Sequence, residues 1–246
     1  MGFESKITAA SQVSNTGGVL FFITGFPGVG KTTLISTICD IPEYSGHLLI
    51  LSAGGGVSAL SDRDDIAVSS INKWSEMEEA RSYLSKRNHP YEWVSIDLTS
   101  EVYNICLAEI VEDGKVTKEG RATLEARGIA NDRFVQMIRD YRVLAETTGI
   151  NVIFTSHATE TKDEDRGMIL VRANLTPGTL STVLGIVDVA AYLEIRNKKR
   201  QIYLIGNERI WAKTRVPRSY GDVPEVLKNP TFKDILAVLN PQKEVV

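Results

Sequence analysis

The chain has 246 residues, 43% hydrophobic and 24% charged, which is the composition of an ordinary globular protein and enough length for one sizeable α/β core. Its net charge of −3, from 28 basic and 31 acidic residues, argues against a surface coated in positive charge for duplex nucleic acid. Cys39 and Cys106 share no metal-ligand spacing and read as buried reduced thiols, no apolar run approaches the roughly 18 residues of a membrane span, and the first fifteen residues lack a signal-peptide pattern; a cytoplasmic protein with no membrane partner is expected.

Residues 1–17, with their Ser, Thr, Asn and Gln, read as a flexible arm, either frayed or docked on a neighbouring subunit. Val19 to Thr24 is an apolar, β-branched and aromatic run of strand length. It leads into Gly25-Phe26-Pro27-Gly28-Val29-Gly30-Lys31-Thr32-Thr33, which fits G-x-x-x-x-G-K-[ST], and Leu34 to Cys39 then has the spacing of a buried helix. Strand, glycine loop and helix together make a phosphate cradle. Glycines let backbone N–H groups turn inward, and the helix start adds partial positive charge. Lys31 reaches the outer phosphates and the Thr32 hydroxyl ligates Mg²⁺. Pro27 stiffens the loop where no donor is needed, and Thr33 is either a second hydroxyl near the phosphates or a plain helix residue.

His47 to Leu51 is the second strand, and Ser52-Ala53-Gly54-Gly55-Gly56 is a glycine-rich turn at its C-terminal end, either part of the ligand edge or simply a turn. Ile66 to Val68 is a short strand. Ser75 and Glu78 have capping-box spacing, opening a helix to about Arg87 with Met77, Ala80, Tyr83 and Leu84 inward. Glu92 to Asp97 is a strand ending in a carboxylate, where a P-loop protein holds the Mg²⁺ shell beside its threonine. Glu101, four residues on, either activates water or caps the next helix.

A helix over 102–131 is expected to break at Asp113-Gly114 and to give way to a polar stretch with Lys115, Lys118, Arg121 and Arg127. Asn131 starts a strong helix to about Thr148, its core face including Phe134, Ile138, Tyr141 and Val143, and Gly149 stops it. Asn151 to His157 is a further main strand, placing His157 at the ligand edge, either touching a γ-phosphate or serving the structure. Ala158 to Gly167 is densely charged and reads as a mobile loop or as a segment ordered by nucleotide or nucleic acid. A short strand at Met168 to Arg172 and a short helix at Thr179 to Leu184 follow, then a β-hairpin with a basic Asn197-Lys198-Lys199-Arg200 tip, and a last strand from Arg209 to Lys213 running into Arg215. The prediction is an α/β fold with a mostly parallel sheet flanked by helices and a C-terminal antiparallel meander. The core spans residues 18–222, and 223–246 is a tail with one short helix over Phe232 to Leu239.

GFPGVGKTT at Gly25 to Thr33, WVSID at Trp93 to Asp97, VIFTSH at Val152 to His157 and AKTR at Ala212 to Arg215 together resemble the RecA-like P-loop core. Within it, the chain looks like the core-only phage single-strand annealing proteins, usually labelled phage nucleotide-binding or AAA-family ATPases. The resemblance covers roughly residues 18–222. It implies ATP and Mg²⁺ as ligands, with Gly25 to Thr33 around the nucleotide and Thr32 and Asp97 at the metal. It implies that Lys213 and Arg215 match a K-x-R pair reaching a neighbour's ATP site, as arginine fingers do, and so a ring or filament of identical subunits. Single-stranded DNA would meet the Lys115–Arg127 stretch and Ala158 to Arg172, a single-strand DNA-binding protein would be a further partner, and the location would be a host's cytoplasm. One departure matters: the family's Asp-x-Glu-Gly-Gly after the second strand is here Ser52-Ala53-Gly54-Gly55-Gly56, so Gly54 stands where a catalytic Glu is expected. Either Glu101 substitutes, with Lys31, His157, Lys213 and Arg215 completing the catalytic set, or hydrolysis is slow. A nucleotide-gated assembly module without DNA, and a P-loop motor, are the rival readings.

Overall fold

A strand covered on both faces sends successive side chains into opposite layers, and this alternation builds the molecule. The computed structural model describes residues 17–112, 114–117, 120–164, 167–215 and 221–239. Most of the N-terminal arm, Lys118 and Arg166 lie outside them. In chain order the elements are β1 (Leu20–Gly25), α1 (Lys31–Ser36), β2 (Leu48–Ser52), β3 (Ile66–Ser70), α2 (Trp74–Ser85), β4 (Trp93–Asp97), α3 (Thr99–Glu112), α4 (Leu124–Thr148) and β5 (Asn151–Asp163). Then come β6 (Met168–Ala173), α5 (Pro177–Ile186), β7 (Val189–Arg196), β8 (Lys199–Tyr203), β9 (Lys213–Thr214), β10 (Val226–Lys228) and α6 (Phe232–Leu239).

The sheet runs β10-β8-β7-β1-β5-β4-β2-β3. From β7 to β3 every pairing is parallel, while β8, β9 and β10 join antiparallel. Leu20 and Phe22 of β1 face one layer, with Phe134, Ile138 and Tyr141 of α4. Phe21 and Ile23 face the other, with Leu34 and Ile35 of α1 and Phe232 of α6. This is the expected α/β architecture: a mostly parallel sheet between helices, closed by antiparallel strands.

Several local expectations are corrected. Helix α4 begins at Leu124, not Asn131, capped by the Thr123 hydroxyl accepting from Ala126 N–H at 3.0 Å. Its extra turns bury only Ala126 and Ala130, small residues that pack on Cys106 and Ile110 of α3 and leave no large apolar stripe to read. Val143 and Tyr83 are exposed, because each falls a step off its helix's buried arc. The capping carboxylate of α2 is Glu76, which accepts from Asn72 and Lys73 N–H at 2.6 and 3.1 Å, while Glu78 pairs instead with Arg81. The charged stretch after His157 is not a loop: β5 runs on to Asp163 and forms an antiparallel hairpin with β6. The strand expected from Arg209 to Lys213 is β9, only Lys213–Thr214, paired to Val189 and Ala190 of β7. The hairpin tip is Asn197-Lys198, both at positive φ, and Lys199 and Arg200 belong to β8.

The C-terminal stretch is anchored. Strand β10 pairs with β8, and Phe232 N–H donates to the Thr37 hydroxyl at 2.8 Å. The Phe232 ring is fully buried, edge-on to Phe21 and Trp93 at 5.3 Å from each. Phe232→Ala should therefore cost about 3–5 kcal/mol in urea unfolding; a loss under about 1 kcal/mol would mean that α6 is dispensable to the core.

Candidate functional site

The P-loop leaves the C-terminal end of β1 and re-enters as α1, whose first residue is Lys31. Gly30 adopts φ +93°, a left-handed conformation that suits glycine. Gly25 is pressed on β7, where an added Cβ would sit 2.5 Å from the Leu193 carbonyl oxygen. Phe26 and Val29 turn away from the ligand side and pack into the α1 layer, so they anchor the loop. Pro27, Gly28, Gly30, Lys31, Thr32 and Thr33 line one wall of a cleft of about 400 Å³. That volume is in the range of small-ligand sites.

The opposite wall follows from the strand order. Strand β5 lies between β1 and β4, so His157 is the register partner of Gly25 and stands between the loop and Asp97. Lys31 is buried; its ammonium donates to the Gly25 and Phe26 carbonyls at 2.9 and 3.2 Å and lies 3.5 Å from His157 Nδ1. Burial pushes the Lys31 pKa down, and the charge of Asp97 opposes that shift. Burial, then the Lys31 charge, likewise lower His157, against the pull of Glu101 and Asp97. The imidazole is therefore poised to be neutral, with an acceptor nitrogen toward the ammonium.

Asp97 is 4% exposed, yet both its oxygens are occupied. The Thr32 hydroxyl donates to Oδ2 at 2.7 Å, and the Thr155 hydroxyl donates to Oδ1 at 2.6 Å. Thr155 accepts no chance position, for its own carbonyl takes the Thr99 hydroxyl at 2.6 Å. A hydroxyl and a carboxylate oxygen in contact at the cleft wall are the donor set that Mg²⁺ uses when phosphates supply the remaining ligands. Among the described residues no cluster of three His, Cys, Asp or Glu side chains could hold a metal alone. The fit is to a metal that arrives with a polyphosphate.

A family model described as an AAA domain matches residues 18–216. The chain belongs to the AAA-domain family. Members are P-loop NTPases that bind ATP with Mg²⁺, and the AAA-domain core here carries the corresponding loop, hydroxyl and carboxylate. No curated protein matches the chain. No described helix is long and apolar enough to cross a membrane.

Glu101 sits in the first turn of α3 and reaches across to Gly54, where an added Cβ would meet Glu101 Cγ at 3.0 Å. Gly54 also has φ +118°, so a side chain there would be strained as well as crowded. Lys213 and Arg215 are not at this cleft. They follow the N-terminal half of β7, with Arg215 N–H on the Asp188 carbonyl at 3.0 Å and its guanidinium on Gly185 O at 2.6 Å, at the sheet edge away from the loop. Burial and the neighbouring Arg215 lower the Lys213 pKa. One charged cleft residue was not anticipated: Arg200 of β8 lines the cleft from the side opposite Asp97. The only sequence signal was the basic run that contains it.

The His157 shift has a sign. A folded-state value below the ordinary one means that the unfolded chain binds the proton more readily, so stability is present above the ordinary histidine range and is lost as pH falls through it toward the folded value. In carbon-detected NMR titration, His157 should titrate below its ordinary value, and Lys31→Met should raise it. An unmoved midpoint in Lys31→Met would contradict the coupling.

Proposed function

We propose that this AAA-domain protein binds Mg²⁺·ATP at the cleft and hydrolyses it slowly, with Glu101 as the water-activating carboxylate. The observation that carries this reading is the place of Glu101, whose side chain covers Gly54 and so occupies the space of the missing Glu. Mg²⁺, when bound by Thr32 and Asp97, supplies neutralisation of charge on the β- and γ-phosphates. Lys31 trades its neutral carbonyl partners for phosphate oxygens, adding ion pairing to hydrogen bonds that its own charge already strengthens. Glu101 takes the proton of a water whose oxygen bonds to the γ-phosphorus as the bond to the ADP oxygen breaks. His157 sits beside Lys31, within reach of the group that is transferred.

The finer reading is an oligomer acting on single-stranded DNA in recombination or annealing. Its support is positional. Lys213 and Arg215 are turned away from their own chain's loop, as residues serving a neighbour's site would be. Strand β5 continues unbroken from His157 into the β5–β6 hairpin, so a contact at the phosphate edge would be carried directly into an element that bears Lys162 and Arg172. The resemblance to phage annealing proteins points the same way.

Phosphate release, measured with and without single-stranded DNA at two salt concentrations, tests both levels. A slow basal rate that DNA raises is expected, with Glu101→Gln lowering it about a hundredfold. An unchanged rate in Glu101→Gln would rule out the substitute base, and no DNA binding at low salt would leave a nucleotide-gated assembly module instead. In the same assay, mixed Lys31→Ala and Arg215→Ala subunits should regain activity; failure in demonstrably mixed oligomers would count against the shared site.

A further inference from the structure

We infer that Arg200 is a phosphate-binding residue of this cleft, supplied by the same chain, and that it holds the part of the polyphosphate shared by a nucleoside diphosphate and triphosphate. The inference rests on the nucleotide-binding reading and adds to it a residue outside the P-loop pattern. Arg200 lies 171 positions from Val29, yet its Nε donates to the Val29 carbonyl at 3.2 Å. The guanidinium lies directly on Gly30, where an added Cβ would be 2.5 Å from Nε and 2.9 Å from Cζ.

That anchoring leaves a specific donor set. A guanidinium carries five N–H groups in a fixed plane, and Nε provides one. Among the described residues, no hydrogen bond engages the two Nη groups, and the side chain lines the cleft. A fork tethered at one end and open at the other is pre-organised for two phosphate oxygens, which a flexible lysine ammonium is not. The backbone beneath it is held too: Arg200 pairs with Ile195 of β7, and its carbonyl accepts from Asn229 N–H at 2.7 Å. A basic residue that merely solvates a turn needs neither contact.

The sheet order says which phosphate. Strand β1 and its loop are flanked on one side by β5 and β4, which carry His157 and Asp97, and by β2, which leads into Gly54, and on the other side by β7 and β8. The metal-bearing end of the polyphosphate is drawn to Thr32 and Asp97. The remainder extends toward β7 and β8, where Arg200 waits. The group contacted is therefore the phosphate next to the nucleoside, present in ATP and ADP alike.

Titrating fluorescent ATP and ADP into the parent, Arg200→Ala, Arg200→Gln and Arg200→Lys tests this. Loss of charged hydrogen bonds should weaken both nucleotides about ten- to a hundredfold in Arg200→Ala. Gln keeps a neutral donor for the Val29 carbonyl but no charge. It should bind as poorly as Ala, Lys should recover part of the loss, and melting without nucleotide should be unchanged in all three. Parent-like binding by Arg200→Gln would reduce Arg200 to a prop for the loop and overturn the inference. So would unchanged affinity in Arg200→Ala, or a loss confined to ATP. A parent that binds neither nucleotide would remove the nucleotide reading itself.

Discussion

One buried charge governs this molecule. Lys31, 6% exposed as a residue, sits at the ligand edge of a hydrophobic sheet, with neutral carbonyls as its direct partners and Asp97 as the opposing charge. Burying a cation is costly unless it is paired and hydrogen-bonded. The fold meets that demand in part: two loop carbonyls accept from it, and a histidine held neutral faces it. An anion in the cleft would add the charged partner that the two carbonyls and the histidine do not supply. Strand β5 makes this arrangement possible, since its insertion between β1 and β4 separates the ammonium from Asp97 by one strand and leaves room for a ligand between them.

Asp97 is positioned with equal care. Its two hydroxyl partners, Thr32 and Thr155, come from different elements, so the carboxylate, the loop and the neighbouring strand are locked in one network. The same geometry links positions 54 and 101. A side chain at 54 would be strained by the φ of +118° and would press on Glu101, whose Cγ lies 3.0 Å from where its Cβ would sit.

Much of this was legible in the chain. The loop is contiguous, so Gly25 to Thr33 announce themselves, and Asp97 and His157 follow because each closes an apolar run, although β5 itself continues past His157 to Asp163. The apolar runs marked the central strands, but which side chains enter which layer came only with the packing. What was hidden depended on long-range register or on small residues. Arg200 looks like any solvated basic turn until the β7–β8 pairing swings it over Gly30. The early turns of α4 rest on alanines, which carry no periodic apolar signal. The hairpin beyond His157 is covered on one face only, where Ala158 and Val171 pack on Tyr192 and Tyr203, so charged residues could enter its other face and disguise the strands as a loop. The amphipathic pattern showed the helix at Phe232 but not its partners, Phe21 and Trp93, which are far away in sequence.

The most direct measurement is the Mg²⁺ dependence of ATP affinity in the parent and in Asp97→Asn. If Thr32 and Asp97 hold the metal that accompanies the phosphates, Mg²⁺ should strengthen ATP binding to the parent by at least tenfold, on the order of one lost charged contact. Asp97→Asn should bind metal-free ATP at least as well as the parent and gain little from Mg²⁺. The same Mg²⁺ enhancement in both proteins would contradict a metal site at Thr32 and Asp97.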